Sequence, residues 1–264
     1  MFKIERIRKI KELVYSRKQI DVATLSSLLN VSGVTIRSDL EQLEDAGFLI
    51  RTHGGAILNE TSTSQEDTND ILLGKTLQYD KNKESIGKLA ASLIADQEWV
   101  FLGPHETCYY IARELRGRQN LNILTNNVYV INALLGSQNI HVIAAGGNLN
   151  HKHSCFMGDP FTKSVEDFYL RKAFFSIDGA DFSAGYTVAD SGEMNLIKAI
   201  AKRTSEMIYL VGSKKFDSIS FTSVGDLVSV STVISNSDMP NQYKKFYFEN
   251  NIRVLTAYDL NPAI

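Results

Sequence analysis

With 264 residues and a hydrophobic fraction of 44%, the chain has apolar material for a small module plus one full-sized domain. No apolar run approaches the length of a bilayer span, and the first residues are charged where a signal peptide would be apolar, so a cytoplasmic protein with no membrane partner is expected. Cys108 and Cys155 are the only cysteines, too few for a disulfide framework, and both are expected as thiols in a reducing compartment.

The net charge of −2 conceals an uneven distribution. Residues 1–58 hold nine Lys/Arg against seven Asp/Glu, and within them residues 1–18 hold seven bases against two acids. Residues 59–70 hold four acids and no base, and the remainder balances at nineteen of each. A basic first segment beside a polar helix face is a local footprint for phosphates.

Taken in order, Phe2 to Arg17 reads as a helix with Ile4, Ile7, Ile10, Leu13 and Val14 on one stripe. Val22, Leu25, Leu28 and Leu29 recur at the spacing of one buried helical face, and Asn30-Val31-Ser32 breaks that helix and caps the next. From the N-cap Ser32, a second helix turns Val31, Ile36, Leu40 and Leu43 towards the first and leaves Thr35, Arg37, Ser38 and Gln42 on or beside the opposite face. Such a face, with short polar groups and one cation, fits a DNA major groove, where Arg37 can bind a phosphate or a guanine. Gly47 ends the helix, Phe48 to Ile50 reads as a strand, Arg51 to Gly55 as a turn and Ala56 to Leu58 as the returning strand. The unit is a winged helix-turn-helix over residues 1–58, with Ser32, Thr35, Arg37, Ser38, Gln42, Arg51, His53 and Gly54 as its DNA-binding residues.

The stretch LLNVSGVTIRSDLEQLEDAGFLIRTHGGAIL resembles the N-terminal signature of the DeoR family of bacterial sugar-metabolism repressors. One departure is visible: the family pattern has two consecutive arginines in the recognition helix, whereas here Arg37 is followed by Ser38.

Residues 59–75 begin with NETSTSQEDTND, which lacks any large apolar residue and reads as a linker. Ile71 to Tyr79 is expected to be partly ordered, and Lys83 to Ala95 to be a helix with Ile86, Leu89, Ala90, Leu93 and Ile94 inward. From Trp99 onward short apolar runs alternate with helical patterns, which predicts an α/β domain over residues 76–264 built on a parallel sheet. The runs are Trp99 to Leu102, Leu121 to Leu124, His141 to Ala145, Ala173 to Ile177, Met207 to Val211, Val230 to Ile234 and Ile252 to Thr256.

In such a sheet, small ligands bind at the carboxyl ends of the strands. The corners there carry Gly103, His105, Glu106 and Thr107; Thr125, Asn126 and Asn127; Gly146 and Gly147; Asp178 and Asp181; and Lys214 beside Lys215. N–H groups at helix starts with a lysine suit a phosphate, and the two aspartates suit sugar hydroxyls. The reading is a sugar-phosphate site, with the sugar as effector and no cofactor. In HKHSC, residues 151–155, the ligands are too few for a metal site and a loop over the effector is expected, so no metal is assigned. Glu193, on the helix after Asp190, is a further candidate for the pocket or for a surface ion pair.

The second domain also resembles the DeoR sensor over its length, in VFLGPHETC, ILTNN, AAGGNL, FMGDP, KAFFSIDGAD, SGEMNLIKAIAKR and VGSKKF. That resemblance implies a fold similar to ribose-5-phosphate isomerase and an effector that is a phosphorylated sugar. Some members carry Asp and Gly in the first corner, where this chain has Gly103 and His105. The expected function is an operator-binding repressor, a homodimer or homotetramer, released by that effector. The alternative is an isomerase using the paired carboxylates of DGAD. The following residues, FSAGYTVADSGEMN, lack the Lys-Gly-Gly-Gly stretch of those enzymes, so no catalytic residue is assigned.

Overall fold

A computed structural model describes residues 3–45, 48–59 and 79–257. The chain divides into two units, residues 1–76 and 77–264. Phe2, Gly47 and most of the expected linker, together with 71–78 of the stretch expected to be partly ordered, lie outside the described residues.

In the first unit, α1 spans Lys3–Arg17, α2 Val22–Leu29 and α3 Gly33–Asp45, and three strands, β1 Gln19–Asp21, β2 Leu49–Thr52 and β3 Gly55–Leu58, form an antiparallel sheet in the order β1-β3-β2. Asp21 caps α2 by accepting the Thr24 N–H at 2.7 Å, and Ser32 caps α3 by accepting the Thr35 N–H at 3.2 Å. Asn30, left-handed at φ 51°, ends α2. The apolar core joins Ile10, Val14, Leu25, Leu29, Ile36, Leu40, Leu43 and Leu49. The hairpin is tighter than the sequence suggests, because Arg51 and Thr52 stay in the strand and only His53 and Gly54 make the turn between paired Thr52 and Gly55. Leu28 corrects another expectation, being 52% exposed. At roughly 100° per residue, Val22 and Leu29 fall on one flank of Leu25 and Leu28 on the other, which is left half-exposed.

Beneath the first core runs a buried ion pair. Arg6 of α1 donates to Asp39 of α3 through two nitrogens, at 2.5 and 3.2 Å, and both side chains are withdrawn from water. The pair fixes α1 across α3.

The second unit contains α4 (Lys81–Ser92), β4 (Trp99–Leu102), α5 (Glu106–Leu115), β5 (Leu121–Thr125), α6 (Val128–Leu134), β6 (Ile140–Ala144), β7 (Asn148–Asn150), β8 (Cys155–Met157), α7 (Asp159–Ser164) and β9 (Leu170–Ser176). It continues through β10 (Gly179–Asp181), β11 (Gly185–Val188), α8 (Ser191–Ala201), β12 (Thr204–Val211), β13 (Thr222–Gly225), β14 (Thr232–Asn236), α9 (Asn241–Glu249) and β15 (Arg253–Ala257). All seven expected strands join one sheet of order β15-β14-β12-β9-β4-β5-β6, and every neighbouring pair is parallel. Its central strands are buried on both sides, as continuous runs such as WVFL and KAFFS require. The core includes Phe101, Phe161, Phe175, Tyr186, Tyr209 and Tyr243. Two small antiparallel features are additions to the expected plan: a β7–β8 hairpin, and a three-stranded sheet β10-β11-β13. No helix among the described residues is long and apolar enough to cross a membrane.

Removing Asp39 alone strands a buried guanidinium, so Asp39→Ala should cost the first unit about 3 to 5 kcal/mol. Arg6→Met combined with Asp39→Leu removes both charges and should recover most of that loss. Urea unfolding followed on the first unit's transition checks this, and equal losses in the single and double variants would refute it.

Candidate DNA-binding face and effector corner

On α3, Ser32, Arg37, Ser38 and Gln42 are exposed and Thr35 is half-buried, while Ile36, Asp39, Leu40 and Leu43 are buried. The polar face is therefore separated from the core face as a groove-reading helix requires. Ser32 and Thr35 share a hydroxyl hydrogen bond of 2.9 Å besides the cap, so both help to hold the helix start. Arg51 is committed within the protein: its backbone N–H and its Nε donate to the two oxygens of Glu44, at 2.9 and 2.6 Å. Between α3 and the hairpin lies a shallow groove lined by Arg37, Glu44, Arg51, Thr52, His53 and Gly54 among others. Gly55 is dictated by close approach, since a Cβ there would stand 2.2 Å from the Ile20 carbonyl oxygen of β1.

In the second unit, parallel pairing brings the expected corners to one edge of the sheet, but their side chains divide into two groups. Thr125, Asn126 and Asn127 are fully buried and bind the protein itself. Thr125 Oγ1 donates to the Leu102 carbonyl at 2.7 Å, and Asn126 Nδ2 to the Phe156 carbonyl at 2.7 Å. Asn127 Nδ2 donates to the carbonyls of Gly103 and His105, at 3.0 and 2.9 Å, while its Oδ1 caps α6 by accepting the Tyr129 N–H at 2.9 Å. These residues shape the first corner from beneath. Gly103 must be small, because a Cβ would meet the Phe175 ring at 2.8 Å and the Phe174 oxygen at 2.9 Å. Gly146 and Gly147 lead into the β7–β8 hairpin, whose turn carries the HKHS residues.

The other group converges on His105. This residue stands before α5 with φ 75°, in a region L-residues seldom enter. Its Nε2 lies 2.7 Å from Glu193 Oε1, and Glu193 is fully buried near the start of α8, where Asp190 accepts the N–H groups of Gly192 and Glu193. Glu193 Oε2 is buried with no hydrogen-bond partner. Asp178, following β9, accepts from the Ala189 N–H at 3.0 Å and from Lys215 Nζ at 3.3 Å. The His153 ring meets the His105 ring edge-on, with centroids 4.5 Å apart.

Burial alone would lower the His105 pKa, but the hydrogen bond and charge of Glu193 outweigh it and the pKa is raised. At Asp178, burial works upward and is overcome by the charge of His105, the Ala189 N–H and Lys215, so the carboxyl is held below its ordinary range. Burial and the neighbouring His105 both lower His153. One donor atom from each of His105, Asp178 and Glu193 lies within 4.8 Å of the others, so among the described residues these three form a group able to hold a metal ion.

Several expected site residues lie elsewhere or are otherwise engaged. Asp181 closes a turn of its own, accepting from the Ser183 N–H at 2.8 Å and the Ser183 hydroxyl at 2.5 Å. Glu106, the first residue of α5, is ion-paired with Lys83. Thr107 is buried, its hydroxyl 3.4 Å from that of Ser176. Lys214 is exposed, and it is Lys215 that reaches Asp178. The sequence reading offers either Lys214 or Lys215 as the cation, and the structure brings Lys215 to Asp178; the reading places His153 only in a loop over the effector and does not name Ser176.

Two family models match the chain: the DeoR-like helix-turn-helix domain over residues 6–62 and the DeoR C-terminal sensor domain over residues 78–237. The HTH-type transcriptional regulator GolR of Listeria innocua is 30% identical over 93% of this chain and 96% of its own length. The lactose phosphotransferase system repressor of Staphylococcus epidermidis is 30% identical over 97% and 100%. A putative aga operon transcriptional repressor of Escherichia coli O157:H7 is 28% identical over 89% and 87%. Among solved structures, ribose 5-phosphate isomerase A of Neisseria gonorrhoeae aligns over 51% of this chain and 52% of its own, at 12% identity and a TM-score of 0.37, a likeness too weak to carry an argument about activity.

The corner makes opposed demands on His105. Its positive φ costs about 1 to 3 kcal/mol, whereas removing its imidazole leaves a buried carboxylate uncompensated, at about 3 to 5 kcal/mol. His105→Gly should therefore destabilise the second unit by about 2 kcal/mol, and adding Glu193→Gln should return most of it. A double-mutant cycle in urea measures the coupling, and strictly additive losses would contradict the pairing.

Proposed function

We propose, from the premise that this chain belongs to the DeoR family, that it represses an operon for sugar catabolism or sugar transport. It binds operator DNA as a symmetric homodimer or homotetramer, and a phosphorylated sugar in the second unit releases it. The observation that carries the reading is the exposed face of α3, where Arg37, Ser38 and Gln42 stand clear of the core beside the hairpin. The lactose phosphotransferase system and aga operon repressors among its relatives support sugar metabolism as the setting. Release requires that the effector favour the arrangement of the DNA-binding units with the lower operator affinity.

Binding without turnover fits the corner better than isomerase chemistry. The carboxylates of DGAD do not work as a pair: Asp178 binds Lys215 and the Ala189 N–H, whereas Asp181 binds Ser183. Backbone N–H groups at the corner and the cation of Lys215 remain suited to an anionic sugar.

Arg37→Ala should weaken operator binding by about 1 to 3 kcal/mol and relax the preference for one base pair, measured by electrophoretic mobility shift on a set of single-base operator variants. If the guanidinium binds phosphate alone, all sequences weaken together and the dependence on salt becomes shallower. Unchanged affinity would remove Arg37 from the interface. In a thermal-shift screen of phosphorylated pentoses, hexoses and their catabolic intermediates, the effector at 100 times its dissociation constant should add about 2.7 kcal/mol of stability. A screen in which no sugar phosphate stabilises the protein would count against this effector class.

A further inference from the structure

The corner around His105 holds more ligating capacity than its hydrogen bonds use. Glu193 is fully buried, yet only Oε1 is partnered, by His105 at 2.7 Å, and Oε2 has no partner. An ionised oxygen withdrawn from water without a donor is costly, and a bound cation is one of the few arrangements that removes the cost. His153 repeats the pattern, because its Nε2 is also buried and without a partner while its ring lies against that of His105. Asp178 brings a second carboxylate, with ligand atoms of His105, Asp178 and Glu193 all within 4.8 Å of one another.

We propose that His105, Asp178 and Glu193 form a three-residue binding site for one divalent first-row transition-metal ion, of which Zn²⁺ is the best match. One imidazole and two carboxylates are a mixed nitrogen and oxygen set, which suits Zn²⁺ and its neighbours and is poorly suited to Mg²⁺ or Ca²⁺. The Lys215 ammonium, 3.3 Å from Asp178, is the cation already present, and its side chain is nearly half exposed and has room to withdraw to solvent. The ion would tie the start of α8 to the corners after the paired strands β4 and β9. The sequence assigns no metal here because the donors are scattered at positions 105, 178 and 193, without the close spacing that marks a metal motif.

The test uses the full-length protein, stripped with a chelator, dialysed against micromolar Zn²⁺ and assayed by elemental mass spectrometry. The wild-type protein should retain one Zn²⁺ per chain and no Mg²⁺ under the same conditions. His105→Ala and Glu193→Gln, shown folded by circular dichroism, should fall to background. Replacement with Co²⁺ should give visible ligand-field absorption in the wild type, which does not depend on either variant folding. Wild-type protein that retains no Zn²⁺, or variants that both retain it in full, would overturn the proposal, the latter marking adventitious surface binding. The metal alone is the probe, so its failure leaves repression by sugar-phosphate release standing, and a failed sugar screen leaves the metal site standing.

Discussion

The parallel direction of the seven-stranded sheet is the constraint on which the second unit depends. When every strand runs the same way, every carboxyl end opens at one edge, and residues far apart in sequence become neighbours. The corners that carry His105 and Asp178, after the paired strands β4 and β9, share an edge for this reason, and α8 then brings Glu193 to His105 from 88 positions away. A reversed strand at β4 or β9 would carry His105 or Asp178 to the opposite edge and dissolve the corner. The fully buried Thr125, Asn126 and Asn127 then act as its foundation, since Asn127 holds the carbonyls of Gly103 and His105, Thr125 that of Leu102 and Asn126 that of Phe156.

The first unit solves a smaller problem with similar means. Its helices are short, and α2 has only eight residues, so neither helix propensity nor burial of one face is sufficient to fix it. The two N-caps, the left-handed Asn30, the Arg6–Asp39 pair and strand β1 supply the remaining definition. Because β1 lies against Gly55, the hairpin is anchored to the residues that enter α2, and the tip formed by His53 and Gly54 keeps a defined position beside α3.

Much of this organisation was legible in the residues. Long apolar runs flanked by glycine and polar corners gave all seven strands of the main sheet, and the 3.6-residue spacing placed Ile36, Leu40 and Leu43 in the core of the first unit. Several short elements escaped, among them Gln19–Asp21, Asn148–Asn150 and Thr222–Gly225, because their pairing depends on partners distant in sequence and not on a pattern of their own. At the corner, the sequence identified His105, Asp178 and Glu193 separately. It could not tell that Asn127 binds the backbone, that Arg51 answers Glu44, or that Asp181 faces Ser183, since the geometry that distinguishes a ligand-facing amide from a structural one arises only on folding.

The central claim is that a DNA-reading helix in the first unit answers to a small anionic sugar in the second. Fluorescence anisotropy on a labelled fragment of the promoter next to the protein's own gene, with the full-length chain, tests both halves together. The account predicts saturable binding that weakens at least about tenfold, or about 1.4 kcal/mol, when one phosphorylated sugar is added and its unphosphorylated parent is not effective. Operator binding that stays the same across the whole set of sugar phosphates, or no preference for the promoter over unrelated DNA, would contradict it.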